Sequence, residues 1–157
     1  MNLFLLQSDI EESAKEFSSI DPLRARKQLL ECCQILSCAD YHQFNTTWMQ
    51  RKDKVLYKFP KAHRNHPVVL AAAFSFEQFE LTKLVAESLA RQFPNHASSE
   101  SLSIWNHKRQ TYTNWSKKGF TSCRTGYPIT LVSTINEYAN LMRQYVLNKQ
   151  LTSKESQ

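Results

Sequence analysis

Asp21 and Pro22 together constrain this chain more than any other feature, because they open a long helix and set where it starts. Asp21 can accept a backbone N–H as a cap, and Pro22 sits at the first helical position, where its missing N–H costs nothing. Leu23, Leu29, Leu30, Cys32, Cys33 and Leu36 make the turns that follow apolar over much of their circumference, and the helix is expected to reach about Tyr41. A helix this apolar belongs in the middle of a fold. Arg24, Lys27, Glu31 and Gln34 nevertheless fall within about 80° of one another at roughly 100° per residue. Two readings of this polar stripe stay open. It lines a cleft or forms a buried, paired network, or it is a solvated face on which Lys27 and Glu31 pair one turn apart.

Glycine scarcity points the same way. The chain of 157 residues holds two glycines, Gly119 and Gly126, fewer than the tight turns of a sheet protein normally use. Its length suits one domain with a real core. The expected architecture is mostly α: a compact single-domain helical bundle over residues 1–150, a polar tail over 151–157, and a short extended segment over 2–7 packed on the core.

Along the chain, Ser8 or Asp9 is placed to cap a short helix over 10–17, with Glu11 and Glu12 in the first turn where the dipole favours them. Residues 18–20 read as the turn into the long helix. Residues 42–54 are polar and irregular, with Trp48 as an anchor. A basic, aromatic, proline-punctuated loop then feeds a helix beginning at Pro67, with Asn65 or His66 as cap. Val68 to Phe74 is apolar on every side, hence buried. Ser75 interrupts it, and Phe76–Gln92 follows as an amphipathic helix with Leu81, Leu84, Val85, Ser88 and Leu89 inward, stopped at Phe93 and Pro94. Ser98 or Ser99 caps a helix over 100–110 that carries Trp105. Residues 111–125 interleave Tyr112 and Trp115 with Lys117, Lys118 and Arg124. Residues 127–132 are extended, and a last helix over 135–149 turns Leu141, Tyr145 and Tyr138 inward.

The formal net charge of +6 suggests an anionic partner, of which nucleic acid is the commonest. Cys32, Cys33, Cys38 and Cys123 lack zinc-finger spacing, and three lie on one helix. They read as small apolar core residues in a reducing cytoplasm. The apolar run at residues 3–6 is too short for a signal peptide, and no run approaches the ~20 residues of a membrane span. No phosphate-binding glycine loop, serine elbow or zinc signature occurs, so no cofactor and no metal are expected.

Glu31 is the leading acid–base candidate, a carboxylate with cations on neighbouring turns. The alternative is a structural ion pair. His63 and His66, with His42 nearby in sequence, invite a metal reading, but the spacing is loose. His66 fits better as a helix cap, and the basic loop around it (Lys58, Lys61, His63, Arg64, Asn65) is a site for an anion or simply a solvated loop. The aromatic and basic mixture at 112–124 suits base stacking with phosphate binding, or core anchors among exposed lysines.

These residues also carry a resemblance. Lys27, Glu31, Gln34 and Leu36 stand in a K-x-x-x-E-x-x-Q-x-L arrangement, and Tyr57-Lys58 precedes His63-Arg64-Asn65-His66-Pro67, an H-[KR]-N-H-P element. Both resemble segments of a family of small bacteriophage proteins labelled pyrimidine-dimer DNA glycosylase-like. The opening Met1 to Phe4 and the closing Glu137, Tyr138, Arg143 and Tyr145 fit as well. The resemblance implies a compact helical domain that binds duplex DNA and cuts a glycosidic bond, the chain's terminal amine attacking the sugar and the helix carboxylate, here Glu31, assisting as acid or base. Glu31, Lys27, Gln34, Tyr57, Lys58, His63, Asn65 and His66 match positions that recur in the family; on this reading Glu31, Lys27 and His63 are the candidate catalytic residues, and Arg24, Gln34, Tyr57, Lys58, Arg64, Asn65 and His66 the candidate substrate-binding residues.

Two departures bear on activity. The family usually carries a cluster of His, Cys, Asp, Lys and His entering the central helix, where this chain has Ile20-Asp21-Pro22-Leu23-Arg24. A terminal-amine nucleophile also needs a small second residue, and Asn2 is not small, which leaves Lys27 or Lys58 as substitutes. The alternative to catalysis is therefore a binding module of the same fold for nucleic acid, a nucleotide or a protein partner. A third reading is an enzyme acting on free nucleotides. No feature specifies an oligomeric state.

Overall fold

The computed structural model describes residues 3, 5–45, 50, 51, 54, 55, 64–108, 120–122, 130–132 and 135–155. Among these the chain is mostly α, as expected. The helices are α1 (Ile10–Ile20), α2 (Pro22–Phe44), α3 (Pro67–Phe74), α4 (Phe76–Gln92), α5 (Ala97–Lys108) and α6 (Ile135–Glu155). Two short antiparallel ladders accompany them: β1 (Gln50–Arg51) pairs with β2 (Lys54–Val55), and β3 (Phe120–Ser122) pairs with β4 (Thr130–Val132).

α2 is the axis of the fold. It packs most extensively on α3 and α4 and also meets α1 and α5. Its residues 35–40 are buried all round, whereas its first half buries Ala25, Gln28, Leu29, Cys32 and Cys33 and keeps another side outward. Leu23 departs from the expected apolar surface: it lies on that outward side and is 76% exposed. One apolar cluster joins Leu3 and Leu5 of the N-terminal segment to Phe17, Leu36, Phe79, Trp105 and Met142.

Local signals explain most boundaries. His66 caps α3, its Nδ1 accepting the Val68 N–H at 3.3 Å. The Ser75 N–H closes α3 on the Ala71 carbonyl at 2.7 Å, and its hydroxyl accepts from the Gln78 N–H at 3.5 Å to open α4. α4 spans the residues its amphipathic pattern predicts, though Leu84 is 40% exposed rather than inward. It lies about 120° from the middle of the buried face.

Several expectations are corrected. α1 does not stop at residue 17. The Asp21 N–H reaches back to the Phe17 carbonyl at 3.0 Å, so the helix continues to Ile20 and one residue separates it from α2. α2 runs on to Phe44, where Asn45 adopts a left-handed φ of 54° and donates its N–H to the Tyr41 carbonyl at 2.8 Å. At α5 the capping group is His96, whose Nδ1 accepts the Ser98 N–H at 3.1 Å; Ser98 is buried, and the Ser99 hydroxyl donates to the Phe93 carbonyl. α6 continues through Glu155 rather than ending at residue 149.

Two arginines tie α1 to its neighbours. The Arg91 guanidinium on α4 grips Glu11 through two nitrogens, at 3.1 and 2.5 Å. Arg143 on α6 pairs with Glu16, which also accepts from the Gln7 amide at 2.6 Å.

Candidate nucleic-acid interface

The outward side of α2 carries the candidate residues. Taking Gln34 as zero, Lys27 lies at about +20°, Glu31 at +60°, Arg24 at +80°, Cys38 at +40° and Tyr41 at −20° around the helix axis. Lys27 is exposed, and Arg24, Glu31, Gln34 and Tyr41 are half-buried. The stripe is therefore a partly solvated face, not a buried network. Its expected internal pair is absent: no ion pair joins Lys27 to Glu31 among the described residues. Arg24 is engaged elsewhere. Its guanidinium holds the Asp21 carboxylate at 2.9 Å while its N–H donates to the same carboxylate at 3.2 Å, so cap and first-turn cation form one unit.

Cys38 lies on this outward side yet is buried, close enough to Arg64 for that charge to act on its thiol. The Arg64 guanidinium sits 5.4 Å from the centre of the Tyr41 ring and donates to the Tyr41 hydroxyl at 3.3 Å. The Arg64 carbonyl lies 2.7 Å from His42 Nε2; since a carbonyl only accepts, that ring nitrogen donates. The arginine is thus held at both ends, with its cation at the C-terminal end of α2, where the helix dipole favours positive charge. Asn65 beside it is exposed, whereas His66 is buried in its capping role. His63, Tyr57 and Lys58 lie outside the described residues, as do Trp48 and the side chains at 112–124.

The opposite side of the same helix end holds a polar pairing that sequence patterns do not announce. Asp40 is fully buried and accepts a hydrogen bond from the indole Nε1 of Trp105, itself fully buried on α5. Nothing local in the sequence links the two. Tyr41, by contrast, was legible by phase, since seven residues after Gln34 the helix returns to nearly the same direction.

The three described cysteines behave as core residues, and Cys123 lies outside the described residues. Cys32, Cys33 and Cys38 are buried free thiols. Burial pushes the Cys32 thiol up to about 12, with the nearby Glu31 charge adding to the shift and the Gln28 amide hydrogen bond opposing it. Cys33 is raised by the same burial, and Cys38 to about 11, with the Arg64 charge pulling the other way. Such thiols are poor nucleophiles.

Two described clefts lie away from Glu31. One of about 360 Å³ runs between α4 and α5, past Arg91, Ser103 and His107; the other, about 400 Å³, is lined by Arg26, Phe93 and His96. Among the described residues, no group of three His, Cys, Asp or Glu side chains is placed to hold a metal ion, and no helix is long and apolar enough to cross a membrane. No family model, curated protein or solved structure matches the chain.

Proposed function

We propose that this is a DNA-acting protein in which the outward side of α2 meets the ligand and Glu31 serves as the acid or base in cleaving a glycosidic bond. One observation carries the reading: Glu31 stands half-buried and in no ion pair among the described residues, on a face with the Lys27 cation one turn before it and the Arg64 cation fixed at its far end. A cation on either side suits an anionic backbone, and a carboxylate kept out of ion pairs is available for proton transfer. The resemblance to the phage glycosylase-like family places its helix carboxylate at the same residue. A base as substrate has to leave the stack to be reached. The reading assigns the protein to a reducing cytoplasm, where its buried cysteines stay thiols.

The test is to incubate the protein with duplex DNA containing pyrimidine photodimers or modified pyrimidines, alongside Glu31→Gln. Base release by the parent that falls at least a hundredfold in the variant supports catalysis, a loss typical of removing an acid–base group. A specific observation favours a second reading, a binding module without chemistry. The entry to α2 is built for capping, with Asp21 and Arg24 consumed by each other, where the family carries its histidine-containing cluster. Duplex binding that survives Glu31→Gln, with no product from either protein, selects it.

A further inference from the structure

We propose that Tyr41 is the positioning residue for Arg64, and that it aims this guanidinium at a phosphate of the same ligand whose reacting nucleotide lies at Glu31. This rests on the proposed function and adds a residue that neither the charge pattern nor the family resemblance singles out.

Arginine carries a long side chain whose ordering costs entropy, so an arginine that grips phosphate well is one already held in place. Contacts to two residues of α2 hold it here. The Tyr41 ring lies under the guanidinium at 5.4 Å, the Tyr41 hydroxyl accepts from it at 3.3 Å, and His42 fixes its backbone carbonyl at 2.7 Å. Tyr41 is half-buried on α2, whose C-terminus is closed by Asn45 one turn later. The guanidinium is planar, and the hydrogen bond to the Tyr41 hydroxyl fixes the direction in which that plane meets a phosphate oxygen.

Distance then says what the pair is for. Tyr41 lies ten residues beyond Glu31, a rise of about 15 Å along the axis. At roughly 3.4 Å per base pair, that length covers about four base pairs of duplex. A single nucleotide held at Glu31 does not span it, whereas a polymer touches both ends. Arg64 therefore acts on register, fixing which nucleotide falls opposite Glu31.

The experiment measures binding of a labelled twenty-base-pair duplex, and of a nucleoside monophosphate, over a salt series. It compares the parent with Arg64→Ala, Tyr41→Leu, Tyr41→Phe and the Arg64→Ala/Tyr41→Leu double variant. Arg64→Ala should weaken duplex binding and flatten the slope of log K against log salt by about one, the loss of a single phosphate contact. Tyr41→Leu should weaken it about tenfold with the same flattening. In the Arg64→Ala background it should change nothing further. Tyr41→Phe keeps the ring and should retain most of the binding, which also guards against a leucine variant that misfolds.

An effect of Tyr41→Leu that adds fully to that of Arg64→Ala, or a salt slope unchanged by Arg64→Ala, overturns the inference while leaving duplex binding intact. Tight binding of the monophosphate with no preference for duplex overturns it as well. A parent that binds no duplex at all defeats the proposed function itself, a different result.

Discussion

A carboxylate with no access to solvent has to be matched inside the protein, and Asp40 is matched in part by the indole N–H of Trp105. The two residues lie 65 positions apart, so their pairing arises only once α5 has docked on α2. Trp105→Phe keeps an aromatic ring in the space but strips Asp40 of this donor. The expected loss is roughly 1–3 kcal/mol of unfolding free energy, read from urea denaturation. At the same scale, burial of Cys32, Cys33 and Cys38 takes these thiols out of the chemistry. What sequence alone could not supply at this scale was pairing across distance. Glu31 and Lys27 were visible as a stripe, but that they stay apart, and that Arg24 turns to Asp21 instead, depends on rotamers no spacing rule specifies.

Elements were read well wherever the chain carries its own punctuation. Ser75 and the Phe93-Pro94 pair bracket α4, and the observed helix ends where they place it. His66 with Pro67 likewise marks the start of α3. Reading failed where polar residues looked like loop but pack as helix. Ser18 and Ser19 continue α1 because the stop signal is the Asp21 N–H bonding back to Phe17, and the polar end of α6 stays helical to Glu155. Asp21 thereby ends one helix and begins the next, its N–H closing α1 and its carboxylate capping α2. Asp21→Ala removes the cap and frees Arg24 together. It should cost about 1 kcal/mol by thermal or urea unfolding, within the usual range for a lost N-cap, and leave an additional mobile cation on the outward side of α2.

Across the whole molecule, α1 is secured to the bundle by surface guanidinium pairs, Arg91 with Glu11 and Arg143 with Glu16. The Arg91 side chain hydrogen-bonded to Glu11 holds that carboxyl below its ordinary value. A lowered folded value means that the stabilisation is present above the ordinary glutamate range of about 4.3 and is lost as pH falls through the folded value. Both partners are substantially solvated, so the gain is on the order of 0.5 kcal/mol. NMR titration should find Glu11 titrating below the ordinary glutamate range, and Arg91→Gln should return it there. Fold class was legible at this scale from the glycine count and the helix signals, because they act residue by residue. The meeting of Arg64 with Tyr41 was not, since it needs α3 laid against α2 before it exists.

The single-residue joint at Asp21 has a last consequence, for the numbering of the chain rather than its chemistry. With no slack between α1 and α2, one inserted residue there would rotate everything after it by about 100° relative to α1. Glu31 and Lys27 would swing toward the interior, and Leu29 and Cys33 would swing toward water. Letters at this joint can be exchanged at modest penalty, but its length sets the phase of the whole central helix, and with it the side of the molecule that faces a ligand.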